Sequence, residues 1–224
     1  GLCDLGRTCV NDRRGRRIDR FFAANPREAE RYLDHPYFEV RTLAARHASP
    51  FRLPGLAQDP EPDVRAMVAL RLPLARVRDL VHDPEPRVRI ALAMRLDGDA
   101  LAALFDDPDF TVRNAAARRA PPALLLQLID DPDLSVRKTV ARRLEDYQLP
   151  ALFGDPDGQV RRIVAERLPP GKLRAMAADP DFRVRYVVAE RMPSGDLALL
   201  ADDEVELIRD LVCERLGLPP KGED

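Results

Sequence analysis

"DPEPDVRAMVALRL", residues 59–72, decides the fold, because the chain repeats its pattern at a fixed interval. Asp-Pro recurs at 59–60, 83–84, 107–108, 131–132, 155–156 and 179–180, always 24 residues apart. The same register places His35-Pro36 ahead of the series and Asp203-Glu204 behind it. Val-Arg follows at 40–41, 64–65, 88–89, 112–113, 136–137, 160–161 and 184–185, and Ile208-Arg209 closes that column. Small residues hold another column: Ala45, Ala69, Ala93, Ala117, Ala141, Ala165, Ala189 and Cys213. Apolar pairs precede the Asp-Pro steps, as in Leu53/Leu56, Val77/Leu80, Leu101/Leu104, Leu125/Leu128, Leu149/Leu152 and Leu173/Met176. A register held from residue 35 to about 216 without an insertion makes eight units, the signature of a stacked-repeat architecture.

Each unit reads as a helix, a connector and a second, shorter helix. Asp suits an N-cap, where its carboxylate accepts from free backbone amides, and Pro suits the first helical position. Two residues beyond that Asp stands an acid (Glu61, Glu85, Asp109, Asp133, Asp157, Asp181), favoured by the positive end of the helix dipole. The Arg of Val-Arg lies four residues further on, so Glu61–Arg65 and its equivalents have the spacing of acid-before-base helical pairs. Val64, Met67, Val68 and Leu72 fall on one helical face. Pro73, Gly98, Pro121-Pro122, Pro169-Pro170-Gly171 and Pro193 end the helices, and the apolar i,i+3 pairs that follow suit a 3₁₀ turn. One unit cannot bury its own apolar face, so the units must stack into a solenoid. Twenty-four residues are too few for the paired helices of a HEAT or TPR unit, and no strand-like alternation appears.

A further column, Arg71, Arg95, Arg119, Arg143, Arg167, Arg191 and Arg215, projects onto the apolar face. A half-buried guanidinium needs partners, and the Asp residues or terminal carbonyls of adjacent units are the expected ones. The histidines follow the register too: His35 stands in the Asp column and His47 in this Arg column, while His82 fills a variable position before Asp83. None of them has a recurrent metal spacing or a nucleophile–base arrangement.

Composition narrows the function classes. The chain has 224 residues, 33% charged, with a net charge of only −2, which suggests paired ions on a helical surface. Aromatic residues make up 5% and Trp is absent, so base-stacking platforms would be poorly supplied. No apolar run approaches the roughly 18 residues that span a bilayer, and no leader argues for export. Three cysteines do not make a disulfide scaffold, and a reducing cytoplasm is the expected location, with no membrane partner.

The pattern Asp-Pro-x-x-x-Val-Arg-x-x-x-Ala-x-Arg-Leu at period 24 closely resembles that of the leucine-rich repeat variant family. The resemblance implies an all-α, right-handed superhelical solenoid of alternating α and 3₁₀ helices, eight repeats and no sheet. The expected organisation is a lead-in over residues 1–24, the solenoid over 25–218 and a tail over 219–224.

The lead-in, opening "GLCDLGRTCV", breaks the register. Residues 1–20 hold six Arg and three Asp, a local charge of +3, so the remainder must carry −5. Cys3 and Cys9 also lie here; thiolates are soft ligands for zinc or iron–sulfur clusters, and nearby arginines would offset cluster charge. On spacing alone a free-thiol pair and a disulfide stay open. The family resemblance implies a four-iron (4Fe-4S) cluster module ahead of the repeats, with Cys3 and Cys9 as two of its four ligands. Cys213 sits in the alanine column seven repeats away and does not complete the set, so either the other two ligands lie upstream of Gly1 or the chain does not hold a complete cluster.

One outward stripe varies: Ala66/Leu70, Ile90/Met94, Asn114/Arg118, Lys138/Arg142, Arg162/Glu166, Tyr186/Glu190, Asp210/Glu214. Ala66, Leu70, Ile90 and Met94 are the candidate protein-docking residues. Arg118, Lys138, Arg142 and Arg162 are the candidate anion contacts. The expected function is a non-enzymatic scaffold that binds a protein and carries the cluster. A nucleic-acid-binding solenoid using the basic stripe is the alternative. An electron-transfer protein is the third reading, though no glycine-rich dinucleotide fingerprint accompanies it.

Overall fold

The computed structural model describes residues 13–219, and the chain divides into two compact units, residues 1–119 and 120–224. Among the described residues every regular element is a helix, and none is long and apolar enough to cross a membrane. In the first unit the principal helices are α1 (Arg13–Ala24), α2 (Phe38–His47), α3 (Pro62–Arg71), α4 (Pro86–Ala93) and α5 (Phe110–Ala117). The second unit has α6 (Leu134–Arg143), α7 (Gly158–Arg167), α8 (Phe182–Arg191) and α9 (Glu206–Leu216). Within each unit, successive helices lie side by side as a solenoid stack.

Apolar periodicity explains the stacking. Val64, Val68, Ala69 and Leu72 are buried, and so are their equivalents Val160, Val164, Ala165 and Leu168 in the second unit. Each fully buried Val or Leu contributes roughly 1.5–3 kcal/mol relative to exposure. Met67 is only half-buried, at the border of the face. The shorter segments are 3₁₀ at Pro54–Gln58, Arg78–His82, Leu149–Leu152, Pro170–Met176 and Ser194–Leu200. Two units depart from the expected alternation: Gly98–Ala102 is a single α turn, and Pro122–Leu125 is an α turn that runs on into 3₁₀ at Leu126–Leu128. Either turn brings residues i and i+3 onto one side, so Leu101/Leu104 and Leu125/Leu128 are buried all the same.

Helix starts correct the expected capping. The Asp of Asp-Pro is not the N-cap: α3 begins at Pro62 with Glu61 at the cap, two residues after Asp59. Asp59 instead folds an Asx turn, its Oδ1 accepting from Glu61 N at 2.9 Å, and Asp83, Asp107, Asp131, Asp155, Asp179 and Asp203 do the same. His35 reproduces the turn through Nδ1, which accepts from Tyr37 N at 3.2 Å. The acids two places on become true caps in four units, where Asp109, Asp133, Asp157 and Asp181 accept from Thr111, Ser135, Gln159 and Arg183 N.

The Val-Arg column corrects the expected i,i+4 pairing. Arg65 does not turn back to Glu61; it reaches Asp83 in the next repeat, with Nε to Oδ2 at 2.7 Å and Nη2 to Oδ1 at 2.8 Å. Arg41–Asp59 and Arg89–Asp107 repeat this fork in the first unit, and Arg137–Asp155, Arg161–Asp179 and Arg185–Asp203 repeat it in the second. The remaining Nη1 donates to the carbonyl six residues back, as Arg65 does to Asp59 O at 2.8 Å. Each guanidinium thus joins its own loop to the next repeat, and no buried side-chain polar atom among the described residues lacks a partner.

Candidate functional site

The second Arg column behaves as expected and carries no site chemistry. Arg71 donates to Ala45 O at 3.1 Å, to Ala48 O at 3.0 Å and to Arg46 O, all one repeat back. Arg95 bonds Ala69 O and Leu72 O, Arg167 bonds Ala141 O, Arg191 bonds Ala165 O, and Arg215 bonds Ala189 O and Met192 O. These guanidiniums satisfy the carbonyls left over where each helix ends, and their charge suits that end of the helix dipole. His47 departs from its column: no arginine reach is available, and its Nε2 meets Asp19 Oδ1 on α1 at 2.7 Å.

Cys3 and Cys9 lie outside the described residues, so the structure places neither. The described residues that follow them form a distinct end to the first unit. On α1, Phe22 is buried against Tyr32 with ring centroids 5.4 Å apart, and Tyr32, His35 and Tyr37 continue the line at 6.0 and 5.6 Å. Arg17, Ile18 and Phe21 of α1 line a groove beside this row. Among the described residues no group of three His, Cys, Asp or Glu side chains is placed to hold a metal. Cys213 is buried in the alanine column of α9 and is not presented to a ligand. An iron–sulfur cluster takes thiolate donors, and the sequence's other two cysteines, Cys3 and Cys9, precede the described residues.

The outward stripe is exposed in part. On adjacent helices α3 and α4, Leu70 is 38% and Met94, at the end of α4, 56% exposed, while Ala66 and Ile90 are half-buried beside them. Of the basic candidates, Arg118 is exposed at the C-cap of α5 in the first unit. The second unit brings Lys138, Arg142 and Arg162 together around a cleft between α6 and α7. Gln159 and Ile163, which the sequence did not single out, complete the cleft together with Glu166 of the same stripe and Arg167 of the second Arg column. Their column positions were readable, but the bond from Lys138 Nζ to Gln159 Oε1 (3.0 Å) and the pair Arg162–Glu166 (2.9 Å) depend on side-chain placement.

Pairing sets the charge states along the ladder. Burial raises the carboxyls of Asp59 and Asp83, but the forks from Arg41 and Arg65, with the Glu61 and Glu85 amides, outweigh it and hold both below the ordinary range. Asp203 is lowered chiefly by Arg185, and Asp181 by Arg183. The partner guanidiniums of Arg41, Arg65, Arg89, Arg161 and Arg185 are raised by the same bonds.

Side-by-side helical repeats joined by a buried Arg–Asp ladder define a helical-repeat protein. Residues 1–31 match the family described as "LRV protein FeS4 cluster", and residues 110–133 and 158–181 match "Leucine rich repeat variant". A solved structure, "a leucine-rich repeat variant with a novel repetitive protein structural motif", is 38% identical with a TM-score of 0.82, over 95% of this chain and 91% of that one. The chain belongs to the leucine-rich repeat variant family. A curated relative from Rhodobacter capsulatus, the "uncharacterized 27.7 kDa protein in nifB 3'region", is 56% identical over 62 residues. That match takes in 28% of this chain and 25% of the relative.

Proposed function

We propose that the protein is a non-enzymatic scaffold of the cytoplasm that holds a 4Fe-4S cluster through Cys3 and Cys9 and offers its repeats to a protein partner. The observation carrying this reading is the division of labour among the columns. Both arginine columns and the Asp column are spent on joining repeats, which leaves the variable outward stripe as the surface free to discriminate. Leu70 and Met94 supply exposed apolar area on neighbouring helices, the kind of surface that protein interfaces use. The cluster, when bound, supplies a redox-sensing or structural function. The family match over residues 1–31 supports it, as do the arginines of that segment, which offset cluster charge.

Two experiments test the proposal. Anaerobically purified full-length protein should contain iron and acid-labile sulfide and absorb in the visible, and Cys3→Ala and Cys9→Ala should each reduce that content. Protein that stays colourless and iron-free after reconstitution would sink the cluster assignment. In affinity recovery from its own cell extract, the Leu70→Asp/Met94→Asp variant should lose the partner that the parent protein retains; undiminished recovery removes this patch from the interface.

A further inference from the structure

The cleft between α6 and α7 differs from the other arginine sites of the second unit. Arg137 and Arg161, one residue away from Lys138 and Arg162, are buried and saturated by Asp155 and Asp179. Lys138, by contrast, donates only to the Gln159 amide oxygen at 3.0 Å, and Arg142 is exposed; among the described residues no carboxylate pairs with either. Arg162 holds a carboxylate already, that of Glu166 one turn further along α7 at 2.9 Å, with both side chains about half exposed (52% and 43%). Arg167, at the rim, is committed to Ala141 O. The buried side chain of Ile163 gives the cleft an apolar floor.

We infer that this cleft docks an acidic segment of a protein partner, whose carboxylates take Lys138 and Arg142 and displace Glu166 from Arg162. The inference rests on the reading that the repeats bind a protein, and it names that partner's chemistry. Glu166 acts as a resident competitor: it shows which group the Arg162 guanidinium accepts, and it covers the site until a denser run of carboxylates arrives. Nucleic acid fits less well. The stripe turns acidic at Glu190, Asp210 and Glu214, so a strand following it would leave the basic stretch after two helices and meet carboxylates. Nonspecific nucleic-acid binding draws on many phosphate contacts, and three cations beside an acidic run supply few.

The test uses full-length protein and a short fluorescein-labelled poly-glutamate peptide, read by fluorescence anisotropy, with a Gly-Ser peptide and labelled single-stranded oligo-dT as comparators. Poly-glutamate should bind at low salt and weaken as salt rises. Lys138→Glu/Arg142→Glu should weaken it by tenfold or more, and Glu166→Gln should tighten it several-fold by removing the competitor. All three positions are exposed or half-buried, so an unchanged thermal melt by circular dichroism verifies that the variants are folded. Absence of poly-glutamate binding, equal binding by the Lys138→Glu/Arg142→Glu variant, weaker binding by Glu166→Gln, or preference for oligo-dT would each overturn the inference. Leu70→Asp/Met94→Asp should leave peptide affinity unchanged. Failure of the peptide to bind a protein that still recovers its partner overturns this inference alone, whereas loss of the partner patch does not touch it.

Discussion

Arg161 and Asp179, eighteen residues apart, are locked by two parallel hydrogen bonds, Nε to Oδ2 at 2.8 Å and Nη2 to Oδ1 at 2.9 Å. Their side chains are only 9% and 5% exposed, and Arg161 Nη1 also donates to Asp155 O at 2.7 Å. One guanidinium thereby ties its own loop to the next repeat. Removing Asp179 leaves that cation buried without a counter-ion, so Asp179→Ala should cost about 3–5 kcal/mol in urea unfolding. Arg161→Lys keeps the charge but not the fork, since an ammonium cannot satisfy two carboxylate oxygens and a carbonyl in one plane. It should recover little of the loss. A lysine variant as stable as the parent would show that charge alone, without the bidentate geometry, joins the repeats.

The same ladder sets an acid limit. Asp59, Asp83 and Asp203 have folded-state pKa values below the usual 3.8, held there by Arg41, Arg65 and Arg185. A carboxyl lowered on folding contributes stability that is complete above its unfolded pKa, about 3.9, and is lost as pH falls through its folded value. Urea midpoints should therefore be flat with respect to these groups from neutrality to about pH 5, then fall below about pH 4. Asp59→Asn and Asp83→Asn should start lower at pH 7 and lose less on acidification. An unchanged acid limb in the double variant would show that other groups set it.

The repeats were legible in the sequence because three columns recur without an insertion, and the buried faces follow directly from Val64, Val68, Ala69 and Leu72. The role of Arg65 was not, since spacing within one helix points it to Glu61 while the structure sends it to Asp83. The missing signal was burial: Arg65 adjoins Val64, which faces the neighbouring repeat, so a partner in that repeat outcompetes a solvated one in its own helix. Asp59 misled for a related reason. Both capping and Asx turns use a carboxylate before a backbone amide, and only the observed helix start, at Pro62, separates them. The α6–α7 cleft was half legible: its cations stand in one stripe, but the role of Glu166 as their competitor needed side-chain geometry.

Gly158 is required by its neighbour rather than by its own backbone. A Cβ at this position would lie 2.0 Å from Asp181 Oδ2 and 2.9 Å from its Cγ. Asp181 caps α8 through Oδ1, which accepts from Arg183 N at 2.9 Å, and its Oδ2 takes Arg183 Nη2 at 2.8 Å, so the carboxylate must shift to admit Gly158→Ala and should weaken its cap. Loss of such a cap costs about 1 kcal/mol, while Ala in place of Gly returns about 0.4–1 kcal/mol through the unfolded chain. The single variant should be neutral to slightly destabilised. In an Asp181→Ala background the obstruction is gone, and the same change should stabilise; additive effects in that cycle would contradict the steric account.

Cys213 provides a control for the proposed cluster ligands Cys3 and Cys9. It is 6% exposed on α9, in the column that Ala45, Ala69, Ala141, Ala165 and Ala189 fill in other units. Cys213→Ala installs the residue those units use and removes one buried sulfur, so the cost should stay below about 1.5 kcal/mol. Iron and sulfide content per chain should be unchanged. Cys9→Ala should do the reverse: iron falls, while the urea transition of the repeats holds, because the Arg–Asp ladder and the buried Val and Leu faces stabilise them without the cluster. Loss of iron in Cys213→Ala would assign the third thiol to the cluster and remove it from the alanine column's packing role.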